Sequence, residues 1–158
     1  MLLLSVLVLR VNRTILSSGT VVSSSKLGLT ATSLAMSYMD EIKSKAFDEY
    51  TVGKAASDST KFTSANNLGP ETSETYSTKF DDIDDYNGFD TTIAVQVDTN
   101  FKPDTFEICC SVVYVSTSNP NIISGTQTWS KKISVYVTND LMTDTVKVSN
   151  IFSYWAFR

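Results

Sequence analysis

The chain has 158 residues, enough for one domain, and carries a formal net charge of −4 with 19% charged residues. Its basic residues are scattered, which argues against nucleic acid as a bulk partner because phosphate binding needs clustered lysine and arginine. Histidine, the commonest general base and metal ligand, is absent. Since there is also no nucleophile–base pair or phosphate-binding loop, the sequence indicates a protein that is not an enzyme and has no cofactor, with calcium as the one ion to consider.

The N-terminal segment, residues 1–9, is apolar except for Ser5, and Arg10 ends the apolar run. Roughly 20 apolar residues are needed to span a bilayer, so this run is too short to be a complete transmembrane helix. It is also a poor signal peptide, because no basic residue precedes it and no small-residue cleavage motif follows it. The pattern is consistent with half of a membrane helix whose beginning is missing.

Residues 17–25 are rich in serine, glycine and β-branched residues, which are weak helix formers. Either neighbouring groups hold this segment in a helix, or it melts locally. The joint at which melting would begin is Ser17, Ser18, Gly19 and Thr20.

Residues 27–47 are patterned as an amphipathic helix. Ala35, Met39, Ile42 and Ala46 recur at helical spacing, and charged residues fill the opposite side. We therefore predict one long helix over residues 1–50. Its part at residues 1–25 protrudes and is hydrophobic, and its part at 26–50 packs on a globular head.

Residues 51–90 show no hydrophobic period and predict an irregular surface connection. Near its end, four carboxylates stand close together, and calcium favours several oxygen ligands. Their spacing does not match an EF-hand loop, and the alternative interpretation is a solvated acidic turn. The candidate calcium ligands are Asp81, Asp82, Asp84 and Asp85.

Residues 91–158 contain four runs of alternating apolar residues separated by turn signals, which is typical of an antiparallel meander with one buried face. The adjacent Cys109 and Cys110 should point to opposite faces of a strand rather than bond to each other. The large apolar partner available to this sheet is the helix at residues 27–47. The predicted fold class is therefore α+β, a long N-terminal helix packed on a four-stranded antiparallel sheet. The residues expected to share the buried face are Ile93, Val95 and Val97, then Phe106, Ile108, Cys110, Val112 and Tyr114, then Trp129, Ile133, Val135 and Val137, and finally Val146 and Val148 before an aromatic end at Phe152, Tyr154, Trp155 and Phe157.

Several stretches, in one order along the chain, resemble type IV pilin-like proteins. Residues 34–45 (LAMSYMDEIKSK) are similar to the helix of that family, and residues 80–89 (FDDIDDYNGF) to a stretch of minor pilins that include MSHA-type proteins. Residues 131–137 and 144–149 are similar to the closing strands of that group. The resemblance implies a pilin-like fold and a role as a subunit of an extracellular filament.

One feature departs from the family. Pilins carry a peptidase site, a glycine followed by Phe-Thr-Leu-x-Glu, at the start of a helix of roughly 50 residues, and this sequence has none. We expect that Met1 falls inside the family's hydrophobic helix, so the processing-site residues are not carried over.

The resemblance implies that the hydrophobic helix lies in the inner membrane before assembly and then packs against copies of itself in the filament core. The inner-membrane assembly machinery would be its other partner. The residues expected to form the filament core are Leu2, Leu3, Leu4, Val6, Leu7, Val8, Leu9, Val11, Ile15 and Leu16.

Two alternatives remain at this point. The chain could be a minor pilin or a type II secretion pseudopilin, which primes or caps a filament, and in the pseudopilin case lies in the periplasm. It could also be a secreted soluble binding or adhesive module whose apolar start is a degenerate signal.

Overall fold

The computed structural model describes residues 2–98 and 102–154, with side chains described from residue 21 onward. One long helix, α1 (Leu2–Lys43), precedes an irregular connection and four strands. The strands are β1 (Asp90–Val95), β2 (Asp104–Tyr114), β3 (Ser130–Thr138) and β4 (Val146–Ser153). The connection contains four 3₁₀ turns, at Glu49–Thr51, Ser59–Lys61, Ser77–Lys79 and Asp84–Tyr86.

The strands form one antiparallel sheet in the order β1-β2-β3-β4, which confirms the predicted meander. In its register, Cys109 of β2 lies opposite Asp90 of β1 and Tyr136 of β3. Cys110 is buried and Cys109 is exposed, and both thiols are free, as the alternation predicted.

The sheet buries the face that the alternating pattern predicts. Phe106, Ile108 and Val112 of β2 are fully buried, while Glu107 between them is exposed. In the edge strands β1 and β4, exposed residues alternate with half-buried ones over most of the length, because each strand has a sheet neighbour on one side alone.

Helix α1 covers this apolar face and contacts β3 and β4. Leu27, Ala31, Ala35, Met39 and Ile42 follow one another at intervals of three or four residues, so they form one stripe, and all are buried. Ala31 and Ala35 have no exposed surface, and their small side chains let the helix approach the sheet closely. The structure is therefore an α+β arrangement of one helix on a four-stranded antiparallel sheet.

The helix ends earlier than the prediction of residue 47–50. It stops at Lys43 because the next residues bond to the acidic run instead of continuing the helix. The Ala46 N–H donates to the Asp81 carbonyl oxygen, and the Ala46 carbonyl oxygen accepts from the Ile83 N–H. These tertiary hydrogen bonds replace the last helical turn, which local sequence alone could not show.

Toward its N-terminus, α1 continues without interruption through Ser17, Ser18, Gly19 and Thr20. Of the two alternatives for residues 17–25, the structure has the helix. Melting of this joint stays a prediction. Within the described part of the chain, no helix reaches the combined length and apolarity that crossing a bilayer requires.

Candidate functional site

A layer of buried charged residues lies where the end of α1, the irregular connection and the sheet meet. It consists of Lys131, Asp48, Asp82, Asp84 and Asp85. At its centre is Lys131 of β3, whose side chain has no exposed surface. Its ammonium donates hydrogen bonds to Asp48 Oδ2 at 2.9 Å, Asp84 Oδ1 at 2.5 Å and the Phe47 carbonyl oxygen at 2.7 Å. The same ammonium lies 4.4 Å from the centre of the Phe47 ring. All three protons of the ammonium therefore have acceptors, as a buried lysine requires.

Asp48 links this ammonium to two other parts of the fold. The Tyr114 hydroxyl of β2 lies 2.9 Å from Asp48 Oδ2, and the Thr63 N–H donates to the same carboxylate at 3.1 and 3.2 Å. Asp48 Oδ1 also accepts from the Tyr50 N–H, which caps the first 3₁₀ turn. One carboxylate thus joins the connection to the sheet.

The acidic run at residues 81–85 folds back on itself. Asp82 Oδ1 accepts from the N–H groups of Asp84 and Asp85, and Asp85 Oδ2 accepts from those of Asp81 and Asp82. These bonds satisfy one oxygen of each carboxylate. Asp82 Oδ2 and Asp85 Oδ1 are buried and accept no hydrogen bond within the described residues. The same is true of Asp84 Oδ2, the second oxygen of the carboxylate that bonds Lys131.

The end of the run is attached to β2 just beyond the part of that strand paired with β1. The Gly88 N–H donates to the Cys110 carbonyl oxygen, the Cys110 N–H donates to the Phe89 carbonyl oxygen, and Asn87 Oδ1 accepts from the Val112 N–H. Gly88 has φ +78°, a backbone conformation that residues other than glycine adopt with strain. Residues 87–89 therefore extend the pairing along β2, which fixes the position of the acidic run next to the sheet.

Burial raises the pKa of the carboxyls in this layer. The pKa of Asp82 rises to about 8 because of burial and the neighbouring charge of Asp84. The pKa of Asp84 rises to about 7 because of burial, with Lys131 opposing the rise. The pKa of Asp85 also rises to about 7, through burial and the carboxyls of Asp82 and Glu74.

Because of these raised pKa values, the stability of the fold depends on how the negative charge of the three carboxylates is neutralised. A carboxyl with a raised pKa binds its proton more tightly in the folded chain than in the unfolded chain. Its contribution to stability is fully present below the ordinary carboxyl pKa of about 4, and it is lost as the pH rises through 7 to 8. Near neutral pH the layer therefore needs protons or another cation.

A second group of carboxylates adjoins the run. One carboxylate oxygen each from Glu71, Glu74 and Asp85 lies within 4.8 Å of the other two. Burial and the adjacent Glu74 carboxyl raise the pKa of Glu71 to about 7. Glu71 Oε2, like Asp85 Oδ1, is buried and finds no hydrogen-bond partner in the part of the chain that the structure describes.

The four predicted calcium ligands are thus not one set in the structure. Asp81 is exposed, whereas Asp82, Asp84 and Asp85 have no exposed surface, so the solvated-turn alternative fits only Asp81. Asp84 bonds Lys131, and Asp85 alone joins the neighbouring glutamates. The filament-core residues predicted between Leu2 and Leu16 lie in α1, and their side chains are outside the described part of the structure.

The sequence did not predict three residues of the site: Lys131 in the buried layer, and Glu71 and Glu74 in the adjoining group. Lys131 has the same strand parity as Ile133 and Val135, so strict alternation would have placed it on the buried face. Glu71 and Glu74 belong to a stretch without periodicity, and no local signal points to them. Glu71 and Asp85 are far apart in the sequence, and only the folded chain brings their carboxylates together.

The chemistry available in this layer is that of oxygen ligands and one lysine, which suits binding a hard cation or sharing protons. No family model matches the chain, and no curated protein and no solved structure is significantly similar to it.

Proposed function

We propose that this protein is a structural subunit of a type IV pilus-like filament, with a pilin-like fold. The observation that carries the proposal is the length of α1 relative to the head. The helix has 42 residues, but the described core contacts begin only at Leu27. The part before Leu27 extends roughly 38 Å at 1.5 Å per residue. In residues 21–26, the part before Leu27 whose side chains are described, every residue is exposed. An exposed helical extension of this kind is suited to packing against other molecules.

A second stripe on α1 supports contacts between copies. Val22, Leu29 and Met36 recur at intervals of seven residues, on the side of the helix opposite the buried stripe. Their exposed fractions are 54%, 70% and 55%. The head's own sheet therefore covers one side of the helix and leaves an apolar stripe on the other.

Where apolar area would otherwise face water, its burial stabilises such packing by about 25 cal/mol per Å². A contact between two different surfaces of the same chain, repeated by rotation and rise, produces an open helical filament. In this proposal the helices form the filament core and the sheets form the outer layer. The subunit is held in the inner membrane before assembly and is extracellular afterwards.

The test is a pair of substitutions in the apolar segment. We expect Leu7→Asp with Leu9→Asp to remove filaments from the sheared surface fraction of the producing cells, while the chain is still present in the cells with its head folded. Leu7→Ile with Leu9→Ile keeps the apolar area and is the matched control. Electron microscopy of the sheared fraction measures the result, and normal filaments from the double-aspartate variant would overturn the proposal.

The exposed stripe allows an independent arm of the same test. Leu29→Asp places a charge outside the head core, so the head should melt at an unchanged temperature while filaments are reduced or lost. If Leu29→Asp filaments are normal in number and length, the stripe does not contribute to assembly.

The same fraction separates a main subunit from a primer or cap. A main subunit dominates the sheared material, whereas a minor pilin or secretion pseudopilin is scarce there. Intact-mass measurement of secreted chain addresses the adhesive-module alternative, which requires loss of roughly the first 20 residues, a typical signal length.

A further inference from the structure

The carboxylates of Glu71, Glu74 and Asp85 approach one another from two separate turns of the connection. Glu71 and Glu74 belong to the turn after Gly69, and Asp85 to the 3₁₀ turn Asp84–Tyr86. One oxygen from each lies within 4.8 Å of the others. Glu74 is 8% exposed and Asp85 has no exposed surface, so solvent does not screen their mutual repulsion effectively.

An independent observation concerns the hydrogen bonding of Asp85. Its Oδ2 accepts two backbone N–H groups, which fixes the orientation of the carboxylate. Its Oδ1 is buried and has no hydrogen-bond partner among the described residues, and the same is true of Glu71 Oε2. A buried carboxylate oxygen without a donor is costly, so two of them in one cluster point to a missing positive ligand.

The charge balance of the interior leads to the same conclusion. Five acidic residues are buried in the described part of the chain: Asp48, Glu74, Asp82, Asp84 and Asp85. Among the residues whose burial is described, the buried cation is Lys131, and its ion pairs are with Asp48 and Asp84. It forms none with Glu74, Asp82 or Asp85, and two of these three carboxylates, Glu74 and Asp85, belong to the cluster. The charges of the cluster are therefore left to another source.

We propose that Glu71, Glu74 and Asp85 bind one calcium ion. Calcium takes oxygen ligands at 2.3–2.6 Å, so two ligands on opposite sides of the ion are about 4.8 Å apart, and the three oxygens fit within that limit. Magnesium requires shorter distances and near-ideal octahedral geometry, and zinc and copper prefer nitrogen and sulfur ligands. Water completes the coordination, as is common when carboxylates supply only part of it.

The ion would join two segments that are also linked by the hydrogen bond from the Asn87 side-chain amide to the Leu68 carbonyl oxygen. Within the described residues, the turn holding Glu71 and Glu74 is closed by its own backbone bond from the Glu74 N–H to the Glu71 carbonyl oxygen. The Asp85 segment is attached to Ala46 and β2 through its neighbours. Calcium would tie the turn to the sheet, independently of whether the chain assembles into filaments.

The experiment uses the full chain, stripped of metal with EDTA, and calcium chloride alone as the probe. We expect titration calorimetry to give one site per chain and thermal melting to shift upward by about 5 °C or more at calcium a hundredfold above Kd. Equal magnesium should produce less than half of that shift. Absence of both heat and thermal shift at 10 mM calcium would overturn the site, as would a shift that magnesium reproduces in full.

Variants locate the ion. Glu74→Gln removes one ligand charge at a side chain whose hydrogen bond from the Glu71 N–H is long, at 3.4 Å. This variant should therefore fold and bind calcium at least tenfold more weakly. Glu71→Gln provides a second ligand variant with the same expectation. Asp81→Asn is the matched control, because Asp81 is exposed in the same acidic run, and its affinity should be unchanged. If both glutamate variants bind as tightly as the unmodified chain, or if Asp81→Asn weakens binding equally, the assignment is wrong.

Discussion

Lys131 shows how one residue can organise several segments. Its ammonium bonds one acidic residue next to the end of the helix, another in the acidic run, and a backbone carbonyl group. The attraction within such a buried group roughly offsets the cost of removing the charges from water. Its contribution is therefore seen most clearly when one partner is removed and the others stay buried.

We expect Lys131→Met to destabilise the fold by about 3–5 kcal/mol, because Asp48 and Asp84 would remain buried without a cation. Lys132→Met is the matched control on the same strand, since Lys132 points to the opposite face and is half-buried, and it should change stability by about 0.5 kcal/mol or less. Urea unfolding of both variants provides the measurement. Equal effects of the two substitutions would contradict the role assigned to Lys131.

The residue scale also shows what alternation can and cannot predict. The burial of Cys110 and exposure of Cys109 follow from strand parity alone. The same parity places Lys131 inside, but hydrophobicity argues against it, and only the carboxylates brought from residues 48 and 84 explain why a lysine is accepted there.

At the scale of elements, α1 was predictable in type but not in its end point. Its buried stripe follows the helical period, which the sequence contains. Its termination at Lys43 depends on hydrogen bonds from Ala46 to the acidic run, which lies far along the chain.

The contact between α1 and the sheet depends on small residues. We expect Ala35→Leu to destabilise the head by about 1–3 kcal/mol, because Ala35 has no exposed surface and a larger side chain would force the helix from the sheet. Ser37→Leu, two residues on and exposed, should change stability by about 0.5 kcal/mol or less. Chemical unfolding compares them, and an Ala35→Leu chain as stable as the unmodified one would show that the interface has unfilled space.

At the scale of the whole molecule, the head should be stable without the protruding part of the helix. The described core begins at Leu27, and Val21 and Val22 are exposed. We expect a chain of residues 21–158 to melt within about 3 °C of the full chain, since this deletion leaves every residue of the described core in place.

Deletion further along the helix provides the comparison. A chain of residues 33–158 lacks Leu27, Ala31 and the ion pair of Lys26 with Asp98, which are contacts of the described head. Losing a buried leucine alone costs about 2–5 kcal/mol, so this chain should melt at least 5 °C lower. Circular dichroism melting distinguishes the two, and equal melting temperatures would mean that the start of the core is misplaced.

The sequence by itself determined the elements whose pattern is local: an amphipathic helix, four alternating strands, and their antiparallel order, because short connections join consecutive strands. Tertiary structure alone decided where α1 ends, that the buried Lys131 pairs with Asp48 and Asp84, and that Glu71 and Glu74 meet Asp85. The physical reason is the same in each case. Hydrophobic periodicity is repeated along a segment and can be read from it, whereas a buried hydrogen bond or a carboxylate cluster depends on partners that only the folded chain brings within a few ångströms.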